Sequence, residues 1–418
     1  MAFDRRSFLT ALGGGALVWP RALEALAGRL AVGGGPDDEA FWDEVRREFL
    51  IESDRTYLNN GTLGPSPRIV VDAVVEHTRR VAMTYPPGVK WDDLKAGLGQ
   101  LLGGDPEGFV FPRNTTEAMN FVAHGIELGP GDEILSTDHE HIGGIEAWKM
   151  LSARIGAPLR RISLPVPATS SDELLDAVWA GVTRATRVIC VSHVTFTTGT
   201  VLPIAELARR CRDRQIILAV DGAHPPGMLD FGLDELGGDF YASSPHKWML
   251  APQGTGLLYM APEWRQRLWP SIASGGWDDL SLGAHRFNHM GTFDESRLAG
   301  LLAATEFFQA LGMERVQERL AFLRGQIFDG LSAIPAVTLA SPSDPALGAG
   351  MVSFRIDGVE SLELQRHLSR TARVRTRVIG EYDYGWMRLS AHVYNAPGQI
   401  ERVLTMIEDV ARDGIPAG

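Results

Sequence analysis

Lysine is scarce in this chain. Of 40 basic residues only four are lysine, at Lys90, Lys95, Lys149 and Lys247, and the rest are arginine. Cysteine is scarcer: Cys190 and Cys211 are the only two, which argues against a disulfide framework and reads as two buried or half-buried thiols. No basic run offsets the formal net charge of -12, which argues against a nucleic-acid partner. Internal repeats and low-complexity tracts are lacking, and no apolar run is long enough to span a bilayer as a helix. What remains is ordinary: 44% hydrophobic and 22% charged residues, in 418 residues that suffice for two or three domains.

A lysine in an arginine-built chain needs a reason. Lys90, Lys95 and Lys149 sit in helical patterns and read as solvated helix faces. Lys247 stands in SSPHKWMLAPQGTG, among small and apolar residues. A guanidinium stays charged, whereas a desolvated amine loses its proton and forms a Schiff base with a carbonyl. The competing reading is a capping or snorkelling lysine.

The N-terminus carries a separate signal. DRRSFLTALGGGALVW sets Arg5 and Arg6 before Phe8, Leu9 and a short apolar stretch, and small residues follow in ALEALAG. The pattern resembles a twin-arginine export signal over residues 1–27, with either a cut after Ala27 or an uncleaved anchor. It implies a folded protein passed to the twin-arginine export machinery and a periplasmic location. The alternative is a chance arginine pair before an apolar helix.

Residues 28–66 read as an N-terminal segment, with an amphipathic helix in DDEAFWDEVRREFL, that packs with a smaller C-terminal domain. From 67 to 295, short apolar runs (GFVF, DEILST, LRRISL, RVICVSHV, IILAVDGAH) alternate with helix-period stretches, one of them opened by a Ser170/Glu173 capping box. Such alternation predicts a large α/β domain around a mostly parallel sheet flanked by helices. Residues 296–418 change texture and read as a smaller α+β domain.

In an open α/β sheet, ligands gather at the carboxyl ends of the strands. Asp221 and His224 end one apolar run, His139 and His141 another, and Asn114, Thr115 and Thr116 open a helix. Lys247 follows a further run. Helix N-terminal N–H groups with threonine hydroxyls bind phosphate, and a buried carboxylate wants a cation. The lysine wants a carbonyl, and an imidazole offers a flat face. Pyridoxal 5'-phosphate meets all four demands. His139 and His141 share a strand face and could ligate a metal, but no third ligand at a telling spacing appears.

From about Tyr57 to Asn395 the chain resembles the class V aminotransferase-fold enzymes, the group with isopenicillin N epimerase and the cysteine desulfurases. YLNNGTLGPSP, RNTTEAMN, VDGAH, SSPHKWMLAPQGTGLLY and MRLSAHVYN match its signature blocks in order. The resemblance implies the fold of type I pyridoxal-phosphate transferases. It implies that Lys247 holds the cofactor and moves the substrate's α-proton, and that Asp221 pairs with the ring nitrogen. His224 would meet the phenolic oxygen, and His141 would stack on the ring. Thr115, Thr116, Ser244 and His246 would hold the phosphate, joined by Thr292 from the neighbouring subunit of a homodimer. Arg388 would clamp the substrate carboxylate, with Asn59 and Asn60 lining the substrate side.

Two departures limit the likeness. Phe196 stands where desulfurases usually carry an asparagine, and RVIGEYDYGWMRLS has no cysteine to accept sulfur. A persulfide-forming desulfurase is therefore not expected. Glu381, Tyr382, Asp383, Tyr384 and Trp277 remain candidate substrate contacts. The expected substrate is an amino acid or the amino-acid part of a peptide-like metabolite. Transamination, elimination and epimerisation stay open, as does a fold that has lost catalysis and binds an amino acid or a metal.

Overall fold

The computed structural model describes residues 18–30, 33–84 and 88–416. Arg5 and Arg6 of the expected export signal lie outside them.

Apolar runs bounded by turn residues become strands: β1 Thr56–Tyr57, β2 Phe109–Val110, β3 Glu133–Thr137, β4 Leu159–Ile162, β5 Thr186–Ser192, β6 Ile217–Asp221, β7 Phe240–Ser243 and β8 Leu257–Met260. All but β1 form one seven-stranded sheet in the order β2-β8-β7-β6-β5-β3-β4. The β7-β6-β5-β3-β4 ladders are parallel, and β8 runs antiparallel to both β7 and β2. Alternation along the strands sorts the two faces. Ile134, Val188, Cys190 and Ala219 pack under helices Thr115–Gly125 and Ile142–Ile155. Leu135, Ile189, Leu218 and Val220 pack under helices Ser171–Ala180 and Ile204–Arg214. A sheet covered on both faces needs near-continuous apolar strands, which is why these runs look unbroken in sequence.

The C-terminal part adds β9 Val337–Leu339, β10 Met351–Ile356, β11 Val374–Arg375, β12 Arg377–Ile379 and β13 Trp386–Ser390. Four of these form an antiparallel sheet in the order β12-β13-β10-β9, and β11 pairs in parallel with β1. Helices Met313–Ser332, Ser361–Ala372 and Pro397–Asp413 enclose a separate core around Phe354, Met387 and Leu389. Helix Ser296–Leu311 is apolar nearly all round, so it has no face for solvent. Its Leu298, Leu301, Phe307 and Phe308 join the core of the large sheet, not that of the small one.

Three local details differ from the sequence reading. Ser170 accepts the Glu173 N–H at 3.1 Å, but Glu173 reaches back to the Thr169 N–H and hydroxyl, both at 2.8 Å, one residue earlier than a capping box requires. Residues 28–66 straddle the two cores: Phe41, Trp42 and Val45 enter the large one and Leu58 the small one. Helix Val18–Arg29 packs on helices Arg68–Thr84 and Ser296–Leu311, with Leu23, Leu26 and Leu30 buried. A cut after Ala27 would remove two of those three leucines. Among the described residues no helix is long and apolar enough to cross a membrane.

Candidate active site

Strand ends deliver the polar groups to one crevice. β6 ends on Asp221, in register with Ser192 at the end of β5, and β7 runs on into Ser244 and Lys247. The crevice holds a cavity of about 280 Å³, whose walls include Thr115, Thr116, His141, Asp221, His224, Ser244, His246, Lys247 and Arg388. Those nine expected residues are brought together.

At the bottom, Asp221 Oδ1 accepts the Ala223 N–H at 3.0 Å. Burial raises its carboxyl above the usual range, with Lys247 and the Ala223 N–H opposing. Space for the carboxylate depends on a glycine: a β-carbon at Gly144 would collide with Asp221 Oδ2. Lys247 Nζ lies 3.4 Å from His224 Nε2. Burial pulls the amine down to about 8; Asp221 opposes the shift, and Arg388 and Arg377 add to it. Trp248 Nε1 donates to His224 Nδ1 at 3.0 Å. Burial, then Lys247, hold that imidazole well below its ordinary range, so it is neutral and its proton sits on Nε2, facing the lysine.

His141 caps helix Ile142–Ile155 by accepting the Gly143 N–H on Nδ1 at 3.0 Å. Burial, then Lys247, push it down to about 3, so the ring stays neutral. Phe196 meets it edge-on at 5.0 Å and lines the cavity. At the other end the Thr115 N–H donates to Ser244 Oγ at 3.1 Å, and the two hydroxyl oxygens are 2.8 Å apart. They sit at the start of helix Thr115–Gly125, beside Thr116. His246 Nδ1 donates to the Thr255 carbonyl at 3.0 Å. Arg388 Nη1 donates to the Phe196 carbonyl at 2.6 Å and Nη2 to Thr62 Oγ1 at 3.3 Å, while its buried Nε has no partner.

Other expected residues fall elsewhere. Asn59 and Asn60 are buried in internal hydrogen bonds and do not face substrate: Asn59 Oδ1 accepts from Thr62, and Asn60 Oδ1 accepts from Tyr394 at 3.0 Å. Gly61 and Thr62 form that wall instead. Thr292 is exposed and outside its own chain's cavity. Trp277 packs near Trp269 on the surface, also outside it. Tyr382 donates to the Glu140 carbonyl at 2.8 Å, and Tyr384 packs near-parallel with His139 at 5.0 Å and Trp386 at 4.5 Å, rings that also lie 6.4 Å from each other. Both tyrosines thus clamp the loop and leave the cavity wall to others. Cys190 and Cys211 are free, buried and absent from the cavity wall.

Three contributors escaped the sequence reading. Trp248 sets the His224 tautomer, and an indole beside the scarce lysine was the available signal. Glu140 accepts from Thr137 and Ser192, each at 2.6 Å, and burial raises it to about 7. Arg377 lines the cavity opposite Arg388, a placement set by strand register.

These residues fit pyridoxal phosphate. A desolvated amine and a buried carboxylate share one cavity, a neutral imidazole presents Nε2–H beside the amine, and hydroxyls at a helix N-terminus form a phosphate end. Fold and site together define a pyridoxal-phosphate enzyme on a mostly parallel α/β sheet. The family model for class V aminotransferases matches residues 89–403, and the chain belongs to that family. It is 32% identical over 391 residues to isopenicillin N epimerase of Streptomyces clavuligerus, covering 88% of this chain and 98% of that one. A cysteine desulfurase of Haloferax volcanii is 28% identical over 399 residues, 85% and 89% of the two chains. Among solved structures, a lysine-to-alanine variant of C-DES with glycine covalently linked to its pyridoxal-phosphate cofactor superposes with a TM-score of 0.77. It is 25% identical and covers 87% of this chain and 99% of its own.

Proposed function

We propose that this protein is an exported, homodimeric pyridoxal-phosphate enzyme acting at the α-carbon of an amino acid or amino-acid moiety, as an aminotransferase or lyase. The observation that carries the reading is one cavity holding an amine drawn down to about 8 above a buried carboxylate. When bound, the cofactor supplies an electron sink that makes the substrate's α-proton labile.

The chain's own groups supply the rest. Lys247 Nζ is poised to give up and take back a proton near neutral pH, which suits an acid–base that works in both directions. Asp221 favours a protonated ring nitrogen, because a buried carboxylate is stabilised by a facing N–H⁺. His224 Nε2–H, fixed in that tautomer by Trp248, would donate to the phenolic oxygen. His141, uncharged, would pack against the ring. Thr115, Thr116, Ser244 and His246 would hold the phosphate, and Arg388 would hold the α-carboxylate in its planar fork. Thr292, exposed in its own chain, would join the phosphate site of the neighbouring subunit.

The likeness to isopenicillin N epimerase favours epimerisation as a second reading. Epimerisation asks for a base on the face opposite Lys247. Of the cavity's titratable groups, burial and then Lys247 hold His141 down to about 3, which argues against it as that base.

The test is direct. The purified protein should be yellow, bleach with borohydride and then carry the cofactor's mass on the peptide containing Lys247; Lys247→Ala should be colourless. Mass spectrometry of an amino-acid panel, with and without a keto-acid acceptor, should reveal a keto acid or an elimination product. Inverted configuration alone would establish the epimerase. Export rests on Arg5 and Arg6, and replacing both by lysine should hold the protein in the cytoplasm on fractionation.

A further inference from the structure

We propose that Arg377 is a second anion-binding residue of the site and selects amino acids that carry a second acidic group. This rests on the reading that Arg388 takes the α-carboxylate.

β12 and β13 pair antiparallel with Arg377 directly opposite Arg388. Directly opposed residues share a sheet face with β-carbons about 4.5–5.5 Å apart. Both arginines line the cavity that holds Lys247 and Asp221. Like charges so placed repel. Arg388 is drawn down to about 9, by burial first and Arg377 next. The charge of Arg377 also lowers Lys247 and His141, with which it lines one cavity.

The local charges are unbalanced. Among the described residues Arg388 has only the Phe196 carbonyl and Thr62 hydroxyl as hydrogen-bond partners, and its buried Nε has none. Arg377 pairs with Glu381, which does not line the cavity. Glu381 is tethered: it opens a turn in which Tyr382 and Asp383 adopt left-handed backbone angles of 57° and 60°, and Tyr382 is anchored to the Glu140 carbonyl. Glu381 is therefore a built-in counter-ion that a ligand anion displaces. An arginine of purely structural use has no need to line the cavity that holds the lysine. A monocarboxylate answers Arg388 alone, whereas a carboxylate, sulfonate or phosphate on the side chain answers Arg377 as well.

Unreactive probes test this without turnover. Butyrate, valerate, succinate, glutarate and adipate are titrated into the cofactor-loaded enzyme by calorimetry, with the visible band monitored. At least one dicarboxylate should bind about tenfold or more tighter than the monocarboxylate of equal length. Arg377→Met should erase that preference while keeping the cofactor band, and Arg377→Lys should retain part of it. Glu381→Gln should tighten dicarboxylate binding severalfold. Equal wild-type affinity for the two probe classes, a preference that survives Arg377→Met, or weaker dicarboxylate binding in Glu381→Gln would each overturn the proposal. Arg388→Met should weaken both classes. If monocarboxylate binding survives that change, the α-carboxylate assignment fails, a result distinct from failure at Arg377. Aspartate, glutamate, cysteate and O-phosphoserine then separate the carboxylate, sulfonate and phosphate sources.

Discussion

At the scale of single residues, the site is built from groups whose charge is costly where they sit. Lys247 is the clearest. An ordinary lysine titrates near 10.4, and this one is drawn down to about 8 by burial. The folded apoprotein therefore binds fewer protons than the unfolded chain between about pH 8 and 10.4, so its stability rises with pH across that window. Lys247→Met should flatten the rise, read from denaturation midpoints at a series of pH values. The rate at which apoprotein captures pyridoxal phosphate should rise with pH as the free amine accumulates, with its midpoint near about 8. A midpoint near 10.4 would mean an unperturbed lysine. The scarcity of lysine made this residue legible in the sequence, and the strand ends made Asp221 legible. Arg377 and Glu140 were not, because their importance depends on which residue stands opposite or beneath them, and one sequence does not fix register. Asn59 and Asn60 were misjudged for a related reason: the adjoining Gly61 and Thr62 take the wall, and the two buried amides are engaged by Thr62 and Tyr394.

At the scale of elements, the alternation of apolar runs and helical stretches was readable because each strand is buried on both faces. What the sequence hid is how loops are held. The loop Gly380–Gly385, with no cysteine, is pinned by the Tyr382 hydroxyl, by Arg161 4.5 Å above the Tyr382 ring, and by Tyr384 packed in a cluster with His139 and Trp386. Tyr384→Ala removes the loop's ring from that cluster at a cost on the order of 2 kcal/mol to the closed loop, or roughly 30-fold in its opening equilibrium. Limited proteolysis should then cut between Gly380 and Gly385 about that much faster, with the remaining fragments unchanged; an unchanged rate would mean that the stack is not the pin. The N-terminal helix makes a second case. Leu23 and Leu26 are buried beneath helices of the main core, and each buried leucine contributes about 1.5–3 kcal/mol before ordering costs. A protein beginning at residue 28 should be about 2–4 kcal/mol less stable in chemical denaturation than one beginning at residue 18. Equal midpoints would make the helix dispensable and leave a cut after Ala27 structurally free.

At the scale of the whole molecule, the open question is whether one chain completes a site. Nine of the expected groups converge within a single chain, yet Thr292 lies exposed and outside that chain's cavity. If a second copy brings it to the phosphate, each site draws Lys247 from one subunit and Thr292 from the other, as twofold symmetry allows. Thr292→Asp would set a carboxylate against the phosphate and weaken cofactor retention through like-charge repulsion. Lys247→Ala disables the other half. Refolding the two variants together in equal amounts makes half of the dimers hybrid, and each hybrid concentrates both defects in one site and leaves the other intact. Activity should then recover to about a quarter of wild type, above the mean of the two parents. Sites complete within one subunit cannot be repaired by mixing, so activity at the mean of the parents would assign Thr292 no part in the neighbouring subunit's site. Light scattering on the same samples, read against the 45.6 kDa chain, separates that outcome from a protein that is simply monomeric.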